Sequence, residues 1–222
     1  ELECLLLASQ QDEGACVLDP IEEEGKSDCK FTKKGECISL GGEFHKDFLC
    51  SSEELSTICE KQKSVNCVEG KDEVYWFDSC ENRENIYDSN RVRSWNKGKV
   101  LAKVDSCELK SGNDILGNQE RCGNCNYLLS SVCGSPGKND KKIIDSDLGN
   151  FVCKDLSCED ENGLVRKNGE SWCAFDSRIG LDNENKKNEE VSVDVPGSRH
   201  YRKVCLDGEV RIEPCADFRN EI

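Results

Sequence analysis

The sequence predicts a small disulfide-rich, mainly β protein: short hairpins, two or so short α-helices, and several small modules without one large core. Three observations lead there. Of the 222 residues, 17 are cysteine, close to the density of a disulfide scaffold. Leu, Ile, Val and Phe together make up under a quarter of the chain, and the 36% hydrophobic fraction includes the cysteines. That is thin material for a core, while ordering the backbone costs roughly 1–2 kcal/mol per residue. Bridges worth roughly 2–4 kcal/mol each are the available compensation, and they belong to an oxidising compartment. The third observation is the recurrence of glycine-tipped turns between short strand-like runs.

The cysteines fall at Cys4, Cys16, Cys29, Cys37, Cys50, Cys59, Cys67, Cys80, Cys107, Cys122, Cys125, Cys133, Cys153, Cys158, Cys173, Cys205 and Cys215. Their even spread argues against a long disordered tail. Seventeen is odd, so the count implies eight bridges and one cysteine without a partner in the chain. Connectivity stays open. Composition shifts suggest three modules: an N-terminal Cys-rich module (1–50), a helix plus Cys-bounded hairpin module (51–135), and a C-terminal hairpin module (136–222). Ser135-Pro136-Gly137 is a breaker, and Leu181 to Glu190 contains one apolar residue. The third module is therefore expected to carry a mobile loop over 181–195.

In chain order, Lys33 to Ile38 reads as a hairpin around Gly35. Ser51-Ser52-Glu53-Glu54 has the spacing of a capping box, and Leu55, Ile58 and Cys59 follow at helical intervals. Trp95 to Leu101 reads as a second hairpin around Gly98. A second helix is expected from about Asn118 to Cys133, with Gly123 as its weak point. Leu164 to Cys173 reads as a hairpin whose Asn168-Gly169 suits a type I′ turn, and Asp207-Gly208 suits another between Val204-Leu206 and Glu209-Ile212. Cys67 to Cys80 and Cys205 to Cys215 share the order Cys, Gly, Glu-Val, Cys. This reads either as one cystine-bounded hairpin used twice or as similar turn chemistry.

The net charge of −15 and pI of about 4.7 argue against general nucleic-acid or anionic-membrane binding. No apolar run approaches the ~20 residues of a membrane helix. The start, ELECLLLASQ, is not patterned as a signal peptide. With no Met and no Asn-x-Ser/Thr sequon, the chain reads as a processed product without ordinary N-glycosylation.

Chemistry-bearing motifs are few. Cys122-Gly-Asn-Cys125 has zinc-ligand spacing, but the second half of a Cys4 site is missing and bridging competes for these thiols. Arg199, His200, Tyr201 and Arg202 form a small basic island that, with Trp172, is a candidate binding surface; the alternative is a strand whose arginines pair with local acids. Asp145-Ser-Asp147, Glu159 to Asn162 and Asp182 to Asn185 offer oxygen ligands for Ca²⁺ without EF-hand spacing, and read equally as solvated loops. Tyr75, Trp76, Phe77, Trp95, Trp172 and Tyr201 suit a sugar or peptide site, or small cores between hairpins. No catalytic residues, cofactor or metal are assigned, and the chain is not read as an enzyme.

Four strings carry a resemblance: YWFDSCENRENIYD (Tyr75 to Asp88), CGNCNYLL (Cys122 to Leu129), NGESWC (Asn168 to Cys173) and GSRHYRKVCLDGEVRIEPCADFRNEI (Gly197 to Ile222). Over about residues 50–222 the chain resembles large cysteine-rich exported proteins of symbiotic DPANN archaea. The resemblance implies export, a place on or outside the cell, and a chain that is one segment of a longer polypeptide. In that pattern a further cysteine follows the equivalent of Asn220-Glu221-Ile222. The odd cysteine is therefore expected to find its partner just past Ile222 or on a neighbouring chain. The leading functional expectation is an extracellular structural or interaction protein, part of a surface layer, filament or adhesin, whose partners are copies of itself or other surface proteins. The alternatives are a secreted binding module for a host glycan, peptide or protein, and a secreted hydrolase.

Overall fold

The computed structural model describes residues 9–20, 25–107, 122–136, 148–175 and 200–215. The expected loop over 181–195 lies outside them, as do Cys4, Arg199, Asp145, Asp147 and Asp182 to Asn185. The described residues form five small sheets, two short α-helices and seven disulfides. The fold class is thus the one the composition predicts. The chain divides into two compact units, Glu1–Lys154 and Asp155–Ile222; the breaker at Ser135 falls inside the first.

The first unit opens with a three-stranded antiparallel sheet in the order β2-β1-β3: β1 (Glu13–Pro20), β2 (Ser27–Lys33) and β3 (Glu43–Lys46). Between β2 and β3 the expected hairpin around Gly35 is instead a short helix, α1 (Lys34–Ser39). Helical turns carry Cys37 back over β1, where it is fully buried and bridged to Cys16. Glu36 accepts from Lys30 Nζ at 2.6 Å and from the Thr32 hydroxyl, tying the helix to β2.

The expected helix from Ser51 is reduced to a 3-10 turn, Glu53–Leu55. Ser52 makes no capping bond, and its hydroxyl is buried without a partner among the described residues. Ser56 enters the left-handed region at φ 51° and ends the turn. The capping pattern was present, but Cys50 and Cys59 are bridged to Cys29 and Cys80, and these anchors constrain the segment between them.

The second sheet has the order β4-β5-β6: β4 (Ser64–Cys67), β5 (Val74–Phe77) and β6 (Arg83–Ile86). Trp95 to Leu101 is not a hairpin. Helix α2 (Arg91–Trp95) runs into a 3-10 turn at Asn96–Gly98. Asn96, Lys97 and Gly98 all have positive φ, so the turn signal was real and the flanking strands were not. Asn90 caps α2 by accepting from the Arg93 N–H at 3.2 Å.

The helix expected up to Cys133 is absent where the chain is described. Tyr127–Leu129 is a 3-10 turn and Ser131–Gly134 is strand β7, paired with β8 (Val152–Asp155). Gly123 lies between β5 and Tyr87: its C=O accepts from Val74 N at 2.9 Å and its N–H donates to Tyr87 O at 2.8 Å. A Cβ there would meet Val74 O at 2.7 Å, so close approach of two backbones selects glycine.

Two small cores hold this unit together. One comprises Val65, Val74, Trp76, Tyr87, Cys125 and Cys153; the other comprises Ala15, Cys29, Cys50 and Cys59. In the second, three of the four buried residues are half-cystines. Sulfur stands where a larger domain would place Leu or Ile, which reconciles a fold with so few apolar residues.

The second unit holds β9 (Cys158–Glu159) paired with β10 (Val165–Arg166), and a sheet in the order β11-β12-β13: β11 (Ser171–Phe175), β12 (His200–Leu206) and β13 (Glu209–Pro214). The expected Leu164 to Cys173 hairpin does not form. A turn is present, but only Gly169 has positive φ, so it is not the expected type I′; Gly169 N donates to Cys205 O at 2.7 Å and Cys205 N to Glu170 O at 3.0 Å. The turn therefore delivers β11 onto β12 rather than back onto β10. The Asp207-Gly208 hairpin does form, with both residues at positive φ, 53° and 84°, as a type I′ turn requires.

Candidate functional site

The β11-β12-β13 sheet collects most of the residues singled out in the sequence. Its register sets Cys173 opposite Arg202 and Arg202 opposite Glu213; Trp172 opposes Lys203, and Ala174 opposes Tyr201. Successive side chains of a strand point to opposite faces. The basic island is therefore split. His200 and Arg202 share one face with Cys173 and Glu213, while Tyr201 and Trp172 occupy the other. His200, Tyr201, Arg202 and Trp172 therefore do not form one surface, because sequence adjacency on a strand separates faces; Arg199 lies outside the described residues. Arg202 pairs with Glu213 at 2.6 Å, which is the local acid pairing weighed above.

Behind Trp172 lies a closed polar network. The guanidinium of Arg166 sits 5.1 Å from the Trp172 ring. It donates to Asp160 Oδ2 at 2.9 Å and to Glu170 Oε1 at 2.9 Å. Asp160 Oδ1 accepts from the N–H groups of Asn162 (2.9 Å) and Leu164 (3.0 Å). The Leu164 amide and Arg166 hold the Asp160 carboxyl below its ordinary range. Both Asp160 oxygens thus face donors, the reverse of what a Ca²⁺ site at Glu159 to Asn162 needs.

Cysteine placement differs from the expectation in one respect. Fourteen cysteines are bridged: Cys16–Cys37, Cys29–Cys50, Cys59–Cys80, Cys67–Cys133, Cys107–Cys122, Cys125–Cys153 and Cys158–Cys205. Cys173 and Cys215 are both free and exposed, so the eight bridges with a single odd cysteine are not what forms among the described residues. Geometry gives the reason. Cys215 follows β13, its N–H donating to His200 O at 3.2 Å, and β12 separates it from β11. Two strand spacings set their backbones roughly 10 Å apart, beyond the ~7 Å limit for a bridge. Nor is the repeated hairpin bounded by its own cystine: Cys67 and Cys80 bridge to different partners, and Cys205 bridges to Cys158. What the two copies share is register, with Cys67 opposite Val74 and Cys205 opposite Val210.

Cys122 and Cys125 are bridged to Cys107 and Cys153, which removes both thiolates from any metal. A further cluster, Asp28, Cys59 and Cys80, contains the Cys59–Cys80 bridge and likewise offers no free thiolate. Of the aromatics, Trp76 and Tyr75 are buried in the first unit, and Lys61 sits 3.5 Å over the Trp95 ring.

The first unit also holds a cavity of about 140 Å³, lined by Phe31, Leu49, Tyr75, Arg83 and Lys103 among others. Its charges are already engaged. Arg83 pairs with Glu13 at 2.6 Å and stacks near the Phe31 and Tyr75 rings, Lys103 pairs with Glu73, and the Tyr75 hydroxyl donates to Glu73 at 3.0 Å. Burial pushes the Glu73 carboxyl up, but Lys103 and Tyr75 more than offset this and hold it below its usual range. The Glu84 carboxyl, buried, accepts from the Ser51 hydroxyl and the Gln62 N–H.

No helix among the described residues is long and apolar enough to cross a membrane. No protein-family model matches the chain, and no curated protein or solved structure matches it.

Proposed function

We propose that the chain is an extracellular, disulfide-stapled structural and interaction protein, a segment of a cell-surface layer, filament or adhesin joined to copies of itself or to other surface proteins. The observation that carries this reading is the contrast between its cysteines. Fourteen are bridged internally, while Cys173 and Cys215 stand exposed on one face of the C-terminal sheet, too far apart to bridge one another. In an oxidising compartment such thiols join chains. A Cys173 or Cys215 thiolate attacks a carrier disulfide, and a thiol of the second chain then displaces the carrier. Two thiols become one interchain disulfide, and the carrier leaves as a dithiol holding the two electrons and two protons. In this reading the chain is not an enzyme. Its acidic balance, −15, directs it away from nucleic acid and toward protein partners.

The test is the size of oxidised, secreted protein by light scattering, non-reducing electrophoresis and negative-stain microscopy. Assembled species are expected, with a covalent ladder that is lost in the Cys173→Ser/Cys215→Ser variant. A strictly monomeric protein in every preparation overturns the reading.

A further inference from the structure

Strand β13 is the edge of its sheet, and among the described residues no further strand pairs with it. All six of its residues, Glu209–Pro214, are exposed, including Val210 at 39% and Ile212 at 61%. The two-residue turn closes on the Leu206–Glu209 pair, and ladder bonds alternate from there. Glu209, Arg211 and Glu213 therefore turn their backbone groups toward β12, a pattern that the Cys215 N–H to His200 O bond continues. Val210, Ile212 and Pro214 turn theirs toward the open side. Pro214, which has no N–H, sits where the ladder loses nothing by it. The outward backbone is thus a three-residue run centred on Ile212, whose Val210 and Ile212 N–H groups have no partner among the described residues.

Such an edge is a template for another strand, and its charges choose the strand. Glu209, Arg211 and Glu213 lie on one face with alternating sign. In an antiparallel pair of identical edges centred on Arg211, arginine meets arginine and Glu209 meets Glu213. Centred on Ile212, each Arg211 instead meets Glu213 of the second copy, and the two Ile212 side chains cover one another. Glu213 has room for this: both hydrogen bonds from Arg202 go to Oε2, at 3.1 and 2.6 Å, leaving Oε1. Arg211 makes no ion pair among the described residues.

We propose that two copies of this chain associate through antiparallel pairing of β13 about a two-fold axis at Ile212, with Arg211 of each opposite Glu213 of the other. This deepens the assembly reading above and rests on it. The isologous arrangement uses the same patch twice, and opposite-charge cross-strand pairs favour it over the neighbouring register.

The experiment uses the full chain carrying Cys173→Ser and Cys215→Ser, so that covalent joining is absent, with mass measured by light scattering against concentration. A dimer is expected. Arg211→Glu alone should raise its dissociation constant by roughly tenfold or more, since it creates two like-charge pairs. Adding Glu213→Arg to that variant should restore the dimer, which a folding defect would not. A monomer at every concentration, or a dimer indifferent to Arg211→Glu, overturns the pairing. So does rescue by Glu209→Arg instead of Glu213→Arg, which would centre the contact on Val210. Interchain disulfides that persist in the parent chain while Arg211→Glu changes nothing would leave the assembly reading standing and remove only this interface.

Discussion

Gln62 donates its backbone N–H to Glu84 Oε2 at 2.8 Å, inside the first unit. The Ser51 hydroxyl donates to the other carboxylate oxygen, and the Trp95 indole N–H donates in turn to Ser51 at 3.2 Å. Glu84 therefore has hydrogen bonds but no ion pair among the described residues, and it is only 4% exposed. Burial pushes its carboxyl up to about 7, against an ordinary 4.5. A raised carboxyl binds its proton more tightly in the folded than in the unfolded chain. Its contribution is fully present below pH ~4.5 and is lost as pH rises through ~7. Unfolding free energy should therefore fall by on the order of 3 kcal/mol between pH 5 and 8 from this group. Urea unfolding at both pH values checks it. Glu84→Gln should flatten the slope, and an unchanged slope would assign the effect elsewhere.

Gly123 reports a different constraint. A Cβ at this position would come within 2.8 Å of Val74 Cβ and 3.0 Å of Tyr87 Cβ, besides the Val74 carbonyl. Both neighbours belong to the Trp76 core and cannot swing aside. Gly123→Ala should cost about 1–3 kcal/mol, read as a lower urea midpoint with all bridges intact. An alanine variant as stable as the parent would mean that the backbones are not this close.

The same residue shows what a sequence of this kind conceals. Gly123 reads as a flaw in a helix that Cys122, Cys125, Leu129 and Cys133 otherwise space correctly. That spacing came from bridges, Cys122 to Cys107 and Cys125 to Cys153, and half-cystines mimic an apolar stripe without implying one. Ser51-Ser52-Glu53-Glu54 misleads in the same way, because local capping chemistry is overruled by Cys50 and Cys59. Turns were legible where the backbone itself requires them, at Asp207-Gly208, Gly169 and Gly98. Partners across the turn were not, since short strands carry little register information. The signal that sequence reading passed over is a spacing. Cys16–Cys37, Cys29–Cys50 and Cys59–Cys80 each span 21 residues, a regularity visible in the sequence though not sufficient to fix connectivity.

Asn82 ties β2 of the first sheet to the β5–β6 turn of the second. Its Oδ1 accepts from Phe31 N at 2.9 Å, while Nδ2 donates to Cys29 O at 3.0 Å and to Asp78 Oδ2 at 3.1 Å. The side chain is buried, so removing it strands an amide and a carbonyl on β2 away from water. Asn82→Ala should cost about 2 kcal/mol, lowering the urea midpoint by about 1 M. Asn82→Asp should also destabilise, since it loses the Nδ2 donor and sets a second carboxylate beside Asp78. A neutral result for both would detach β2 from the β5–β6 turn.

Thiol chemistry separates the cysteines without any mutation. Alkylation of the native, unreduced chain should modify Cys173 and Cys215 and leave the fourteen bridged positions untouched. Peptide mapping at acid pH, which suppresses exchange, should return the seven pairs, with Cys158–Cys205 connecting the C-terminal sheet to β9. The interchain linkage proposed above adds one conditional result. In assembled material, Cys173 or Cys215 should resist alkylation until a reductant is added, and its peptide should be recovered joined to another exposed cysteine. Recovery of a Cys173–Cys215 peptide from a single chain would contradict the sheet order, because β12 would have to leave its place between β11 and β13 for the two sulfurs to meet.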